Sequence, residues 1–384
     1  MRHVYFDSNA TTRVAPEVLE EMMPYFDRSY GNPSSFHSFG SACMEAVEKA
    51  RKQVADLIGA APEEVFFTSG GTESDNTALK GAARMDPSRN GLVVSAVEHP
   101  AVLETARYLE RRGHPVFYAG VDSEGSLNVR EVSSAVDEGT ALVSLMAANN
   151  ETGVLFPVDE LAKIAHGMGA LYHTDAVQAV GKIEIDVRKQ DIDLLSISAH
   201  KLHGPMGAGA LFVRRGIDLP PLMHGGHQEE GLRAGTLNVP GIVGLGKAAE
   251  LAGEELREGS AERLRNLRNR IEEGIISTCP ETLILASETE RLPNTLTAVF
   301  GGIESEAILT LLDMKGISAS SGSACSTGTT DPSHVLTAMG CDANMGNSAI
   351  RISFDRYTTE EEVDYLLEQL PPIVEKLRDV SPYA

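Results

Sequence analysis

Between residues 60 and 215, short apolar runs rich in Val, Ile, Leu and Phe alternate with stretches whose apolar positions recur at helical spacing. Seven runs read as strands: EVFFTS, GLVVSA, PVFYAG, ALVSLMA, ALYHTD, DLLSIS and GALFVR. Near-continuous apolarity suits strands buried on both faces, as in a parallel sheet covered by helices. PAVLETARYLERRG and VDELAKIAHGMG fall between them, amphipathic at helical period and closed by glycine. A long helical region from about Gly241 to Gly274 then leads to a smaller unit, in which NTLTAVF, ESEAILTLLDMKG, ISASSG and AIRISFD alternate strand and helix again. In TTEEEVDYLLEQL, Thr359 and Glu362 stand at capping-box spacing at the head of an amphipathic helix.

The expected fold is therefore α/β, a large domain with a mainly parallel seven-stranded sheet and a smaller C-terminal α/β domain. We set the large domain at residues 15–255 and the small one at 1–14 and 256–384. At 384 residues the chain suits one large domain with a smaller one attached.

Composition narrows the function classes. The formal charge is −22, which opposes binding to a nucleic-acid backbone. No apolar run approaches bilayer-spanning length, and MRHVYFDSNATTR lacks the apolar core of a secretory signal, so a cytoplasmic protein is expected. The four cysteines, Cys43, Cys279, Cys325 and Cys341, are widely spaced and form no C-x-x-C pair. They are expected as thiols.

The chemistry gathers just past the strands, where open parallel sheets collect ligands. Lys201 follows DLLSIS directly, and a lysine there is costly unless paired, neutralised or used covalently. FFTSGGTES ends its strand with Gly70, Gly71 and Thr72 before a helix, presenting N–H groups and a hydroxyl to an anion. His99, the pair Asn149 and Asn150, and Asp175 with Gln178 close other strands. A phosphate cradle, a lysine amine, an aspartate, a histidine and amides are what pyridoxal 5'-phosphate requires. The glycine turn fits neither a nucleotide P-loop nor a dinucleotide fingerprint. The two H-x-x-H pairs, His200 with His203 and His224 with His227, lie in glycine- and proline-bearing loops that do not advertise a zinc site, and no metal is expected.

The motifs DSNATTRV, YGNPSSFHSFG, FTSGGTESDN, VEHPAVL, NNETG, HTDAVQAVGK, SAHKLHGP, GGHQEEGLRAGT, SGSACSTG and IRISFDRYTTEEE, in this order, resemble the cysteine desulfurases, particularly the NifS type associated with nitrogenase iron–sulfur assembly. The resemblance runs from about residue 4 to about residue 380. It implies a fold-type I, pyridoxal phosphate-dependent enzyme. Such an enzyme converts L-cysteine to L-alanine and leaves sulfur as a persulfide on its own cysteine. It works as a homodimer that supplies a sulfur-acceptor scaffold protein for iron–sulfur clusters, in nitrogen fixation for this type. By similarity, Lys201 forms the Schiff base, Asp175 pairs with the pyridine nitrogen, and Gln178 meets the ring hydroxyl with Asn150 nearby. His99 stacks on the ring and moves protons, and Gly71, Thr72, Ser198 and His200 match the phosphate-binding positions. Thr236 matches a residue lent by the second subunit, and Asn32 and Arg351 match those holding the substrate carboxylate.

The resemblance makes Cys325 the sulfur acceptor. Its setting, SSGSACSTG, agrees, because small residues suit a thiol that must reach a pocket and then carry sulfur outward. Ser8 and Met206 are small departures from the family pattern. The alternatives are a selenocysteine lyase or other pyridoxal phosphate lyase that needs no enzyme thiol, and a non-catalytic scaffold of the same fold.

Overall fold

Strand β1 (Val4–Tyr5) precedes the seven strands that the apolar runs form in the computed structural model, which describes residues 2–321 and 332–381. These seven are β2 (Val65–Thr68), β3 (Gly91–Ser95), β4 (Val116–Ala119), β5 (Thr140–Ser144), β6 (Leu171–Asp175), β7 (Leu194–Ser198) and β8 (Gly209–Val213). They make one sheet in the order β2-β8-β7-β6-β5-β3-β4, parallel throughout except for β8, which runs antiparallel to both neighbours.

Side chains alternate across the sheet and sort into two packed layers. Leu92 and Val94 of β3, Leu194 of β7, and Leu211 and Val213 of β8 meet the helices Gly71–Met85 and Pro100–Glu110. Val93, Leu195, Ile197 and Phe212 face the other way, toward the helices Ser38–Ile58, Val158–Gly167 and Val239–Arg257. Burial on both faces explains the continuous apolar runs. The chain moves outward from β3 to β4 and then returns to β5, so the order reverses between β3 and β5. A crevice opens at the carboxyl ends of strands beside such a reversal.

The helical region near 241–274 is two helices, Val239–Arg257 and Ser260–Thr278, separated at Gly259, whose φ of +81° ends helical continuity. Beyond it, β9 (Thr282–Ile284) and β10 (Thr295–Phe300) join two later strands, β12 (Ser320–Ser321) and β13 (Ala349–Ser353), in an antiparallel sheet of order β12-β13-β10-β9. The ISASSG run does not form one strand. It divides into β11 (Ile317–Ser318), which pairs in parallel with β1, and β12, which pairs with β13. Ile271, Ile308 and Leu366 fill a separate core under this sheet, together with Val4 and Phe6. Thr359 caps the helix Glu360–Val380 reciprocally with Glu362, as its spacing predicts. The two regions interleave, since Leu292, Val335 and Leu336 pack against the large core.

Candidate active site

The carboxyl ends of β2, β3, β5, β6 and β7 converge on a cavity of about 320 Å³, closed on one side by β13. Of the residues named from the sequence, Gly71, Thr72, His99, Asn150, Asp175, Gln178, Ser198, His200, Lys201 and Arg351 all line it. Asn32 and Thr236 do not, and both are exposed, Asn32 with its Oδ1 accepting from Ser34 N at 3.0 Å in a local turn. Cys325 lies outside the described residues.

Gly70 and Gly71 leave β2 and open the helix Gly71–Met85. A Cβ on Gly71 would stand 2.7 Å from Val177 Cγ2, so only glycine lets the helix start come so close to the loop after β6. His99 is the N-cap of the helix Pro100–Glu110, its Nδ1 accepting from Ala101 N at 3.1 Å, which leaves its hydrogen on Nε2. Burial pushes His99 below the usual histidine range; the Asp175 charge opposes this and that of Lys201 adds to it.

Asp175 ends β6, its Oδ1 accepting from Val177 N at 2.9 Å. Burial raises its carboxyl, against the pull of His99, that N–H and Lys201. One turn on, Gln178 donates from Nε2 to Asn9 O at 3.0 Å and accepts at Oε1 from Lys182 Nζ at 2.6 Å. Past β7, Lys201 donates to the carbonyls of Asn9 and of Ala10, the latter at 2.7 Å. His200, pushed down to about 4 by burial and by Lys201 and Lys182, meets Thr11 Oγ1 at 3.1 Å. Arg351, on β13, donates to Asn150 O at 3.0 Å and to Asp7 at 2.8 Å, while its buried Nε has no partner among the described residues.

The paired motifs divide. Asn149 turns inward, where its Oδ1 caps Glu151 N and Thr152 N, both at 2.9 Å, and only Asn150 lines the cavity. His203 points away from His200 and bonds Arg13 O at 3.0 Å. Among the described residues no group of His, Cys, Asp or Glu could hold a metal ion.

Sequence reasoning missed Asn9, Asp75 and Lys182. Asn9 and Asp75 line the cavity, and Lys182 stands just behind it on Gln178 and Asn9. Asn9 donates from Nδ2 to Asn150 O and Thr295 Oγ1, receives at its carbonyl from Gln178 and Lys201, and joins Ser353 through its backbone N–H. The signal available for all three was their place inside motifs already singled out.

The fold and the site together define a class. The class-V aminotransferase domain matches residues 4–366, and the chain belongs to that family, whose members work with pyridoxal phosphate. The cysteine desulfurase of Enterobacter agglomerans is 50% identical over 384 residues, covering 100% of this chain and 95% of that protein. The cysteine desulfurase NifS of Azotobacter vinelandii is 47% identical over 384 residues, with 100% and 95% covered. A solved NifS-like protein superposes with a TM-score of 0.91 at 43% identity, covering 98% of this chain and 100% of that one. The structure titled SspA in complex with cysteine superposes at 0.81 and 35% identity, covering 93% and 100%. Within the class-V family, then, this chain is a cysteine desulfurase of the NifS type.

Proposed function

We propose that the cavity holds pyridoxal 5'-phosphate and that the chain converts L-cysteine to L-alanine, transferring sulfur to Cys325 as a persulfide. The observation that carries this reading is the convergence of Lys201, Asp175, His99, Arg351 and the Gly71–Thr72 helix start on one cavity. Its volume falls within the ligand-pocket range of about 300–1,000 Å³. The donor set fits the cofactor. The Gly70–Gly71–Thr72 turn, Ser198 and His200 suit its phosphate, Asp175 its ring nitrogen, and Gln178 with Asn150 its ring oxygen. When bound, the cofactor supplies an electron sink for charge left on the substrate carbon.

The chain's own groups do the rest. Lys201 is the covalent anchor, and its amine carries a proton to and from the substrate carbon. His99 presents an N–H at Nε2 in the tautomer that its N-cap bond fixes. Arg351, anchored by Asn150 and Asp7 and with Nε unpartnered among the described residues, receives the substrate carboxylate. Asn32 and Thr236 are exposed and off the cavity in one chain, which is consistent with completion of the site in a homodimer. Leu19, Met23, Phe26, Tyr30, Phe36 and Phe39 expose a band of large apolar side chains in the neighbourhood of Asn32 in sequence, as a subunit contact would require. We place the domain division at residues 15–255 against 1–14 and 256–384, in keeping with the separate cores. A scaffold protein for iron–sulfur clusters, in nitrogen fixation for the NifS type, is the proposed receiver of sulfur. The cytoplasm is the proposed compartment, supported by Cys43, Cys279 and Cys341 standing as free thiols.

The test is release of alanine and sulfide from L-cysteine, with a reductant, by the native protein and by Cys325→Ala. Loss of activity with the cofactor retained is expected. Full activity in the variant would overturn the persulfide step.

A further inference from the structure

Asp75 is 1% exposed, lines the cavity, and its Oδ1 has no hydrogen-bond partner among the described residues. It projects from the helix Gly71–Met85 toward β6, where His173 and Asp175, two residues apart, face the same side of the sheet. His173 Nε2 stands 3.7 Å from Asp75 Oδ1. That imidazole cannot supply a counter-charge. It is fully buried, its two nitrogens meet Ser144 Oγ at 2.8 Å and Ser196 Oγ at 3.0 Å, and burial pushes it down to about 3.

Two buried carboxylates lining one cavity disfavour each other's ionisation. Asp175 has the Val177 N–H, His99 and Lys201 to favour its charge. Asp75 has only the Ser196 hydroxyl, against burial and the charges of Asp175 and Glu98. We infer that Asp75 is a positioning residue, a neutral carboxylic acid that backs Asp175 and leaves it the one anionic carboxylate facing the cofactor ring. The proton on Asp75 gives its orphaned oxygen a donor, and Asp175, which lines the same cavity, is the acceptor we assign to it. Burial raises the Asp75 carboxyl well above the usual range, with Asp175 the next contributor, which agrees with that assignment.

The inference rests on the reading that the cavity binds pyridoxal phosphate with Asp175 at its ring nitrogen. The experiment compares native protein, Asp75→Asn and Asp75→Leu, each titrated with pyridoxal phosphate. Its two readouts are the dissociation constant and the pH midpoint of the visible absorption band. Asp75→Asn keeps an N–H donor and the neutral charge, so its midpoint and affinity should match the native protein. Asp75→Leu loses the donor, and its affinity should fall by about tenfold or more. A midpoint displaced by about one pH unit or more in Asp75→Asn would mean that a charge had been removed, and would sink the inference. Native affinity in Asp75→Leu would sink it equally, by reducing Asp75 to packing. Failure of the native protein itself to take up the cofactor would instead overturn the reading of the cavity.

Discussion

Lys182 offers the sharpest test of the electrostatics behind the cavity. Its amine donates to Gln178 Oε1 at 2.6 Å and to Asn9 Oδ1 at 3.3 Å. Burial first, then Lys201 and Arg351, push it down to about 7, with Asp355 opposing. An amine depressed in the folded state binds fewer protons there than in the unfolded chain, so the native protein gains stability as pH rises from about 7 toward about 10.4. The whole interval is worth about 5 kcal/mol at about 1.4 kcal/mol per pH unit. The Lys182 side chain is partly accessible, and solvent screening reduces the figure to about 2 kcal/mol between pH 7 and pH 9.5. Lys182→Met removes the titrating group and costs about 1–2 kcal/mol for each lost hydrogen bond, at every pH. The assay is urea denaturation at fixed protein concentration across that range. Far-UV circular dichroism is the probe, because the chain has no tryptophan. The native protein should gain about 2 kcal/mol on the variant as pH rises. Parallel pH profiles would refute the assignment of a depressed amine at this position.

Two further outcomes are expected. Glu98, fully buried and raised to about 8 by burial despite hydrogen bonds from Ser95 at 2.7 Å and Met146 N at 2.9 Å, costs stability as pH climbs through that value. Glu98→Gln should therefore raise the melting temperature at pH 8 and leave it unchanged near pH 4, with on the order of 3 kcal/mol separating the two conditions. Gly71→Ala drives a Cβ to 2.7 Å from the stiff Val177 side chain, so it should lower stability by about 1–3 kcal/mol and weaken pyridoxal phosphate uptake in equilibrium dialysis.

The seven strands of the large sheet were legible because burial on both faces leaves an unbroken apolar signature in each. The reversed direction of β8 was not, since GALFVR reads the same whichever way it runs. The break at Gly259 hid for a different reason: the residues on either side keep helical periodicity, and only the backbone dihedral reveals the stop. ISASSG looked like one strand, although Ser318 and Ser320 serve different sheets. At the site, Lys201 announced itself as a costly lysine at a strand end, and His99 and Asp175 by their places at the ends of other strands. Asn9 did not, because its partners Asn150 and Thr295 lie far away along the chain, and Lys182 did not, because Asn9, its link to the cavity, is equally distant in sequence. Asp75 lay inside the FTSGGTESDN motif without a partner in sequence to mark it, since the strand it packs against begins about a hundred residues later. Thr236 and Asn32, named from the family resemblance, lie off the cavity and exposed in the single chain.

The contacts of Asn9 also bear on the order of assembly. The carbonyl that receives Lys201 belongs to a residue whose own amide is held by Ser353, 344 positions later. Loop closure over such a span is slow and must await the late segment. During synthesis the large sheet can form while the lysine's seat is still missing, and the cavity is finished only when β13 docks. A destabilised β13 should therefore yield a protein with native-like sheet content and no capacity to load cofactor, a defect of maturation that resembles a defect of chemistry.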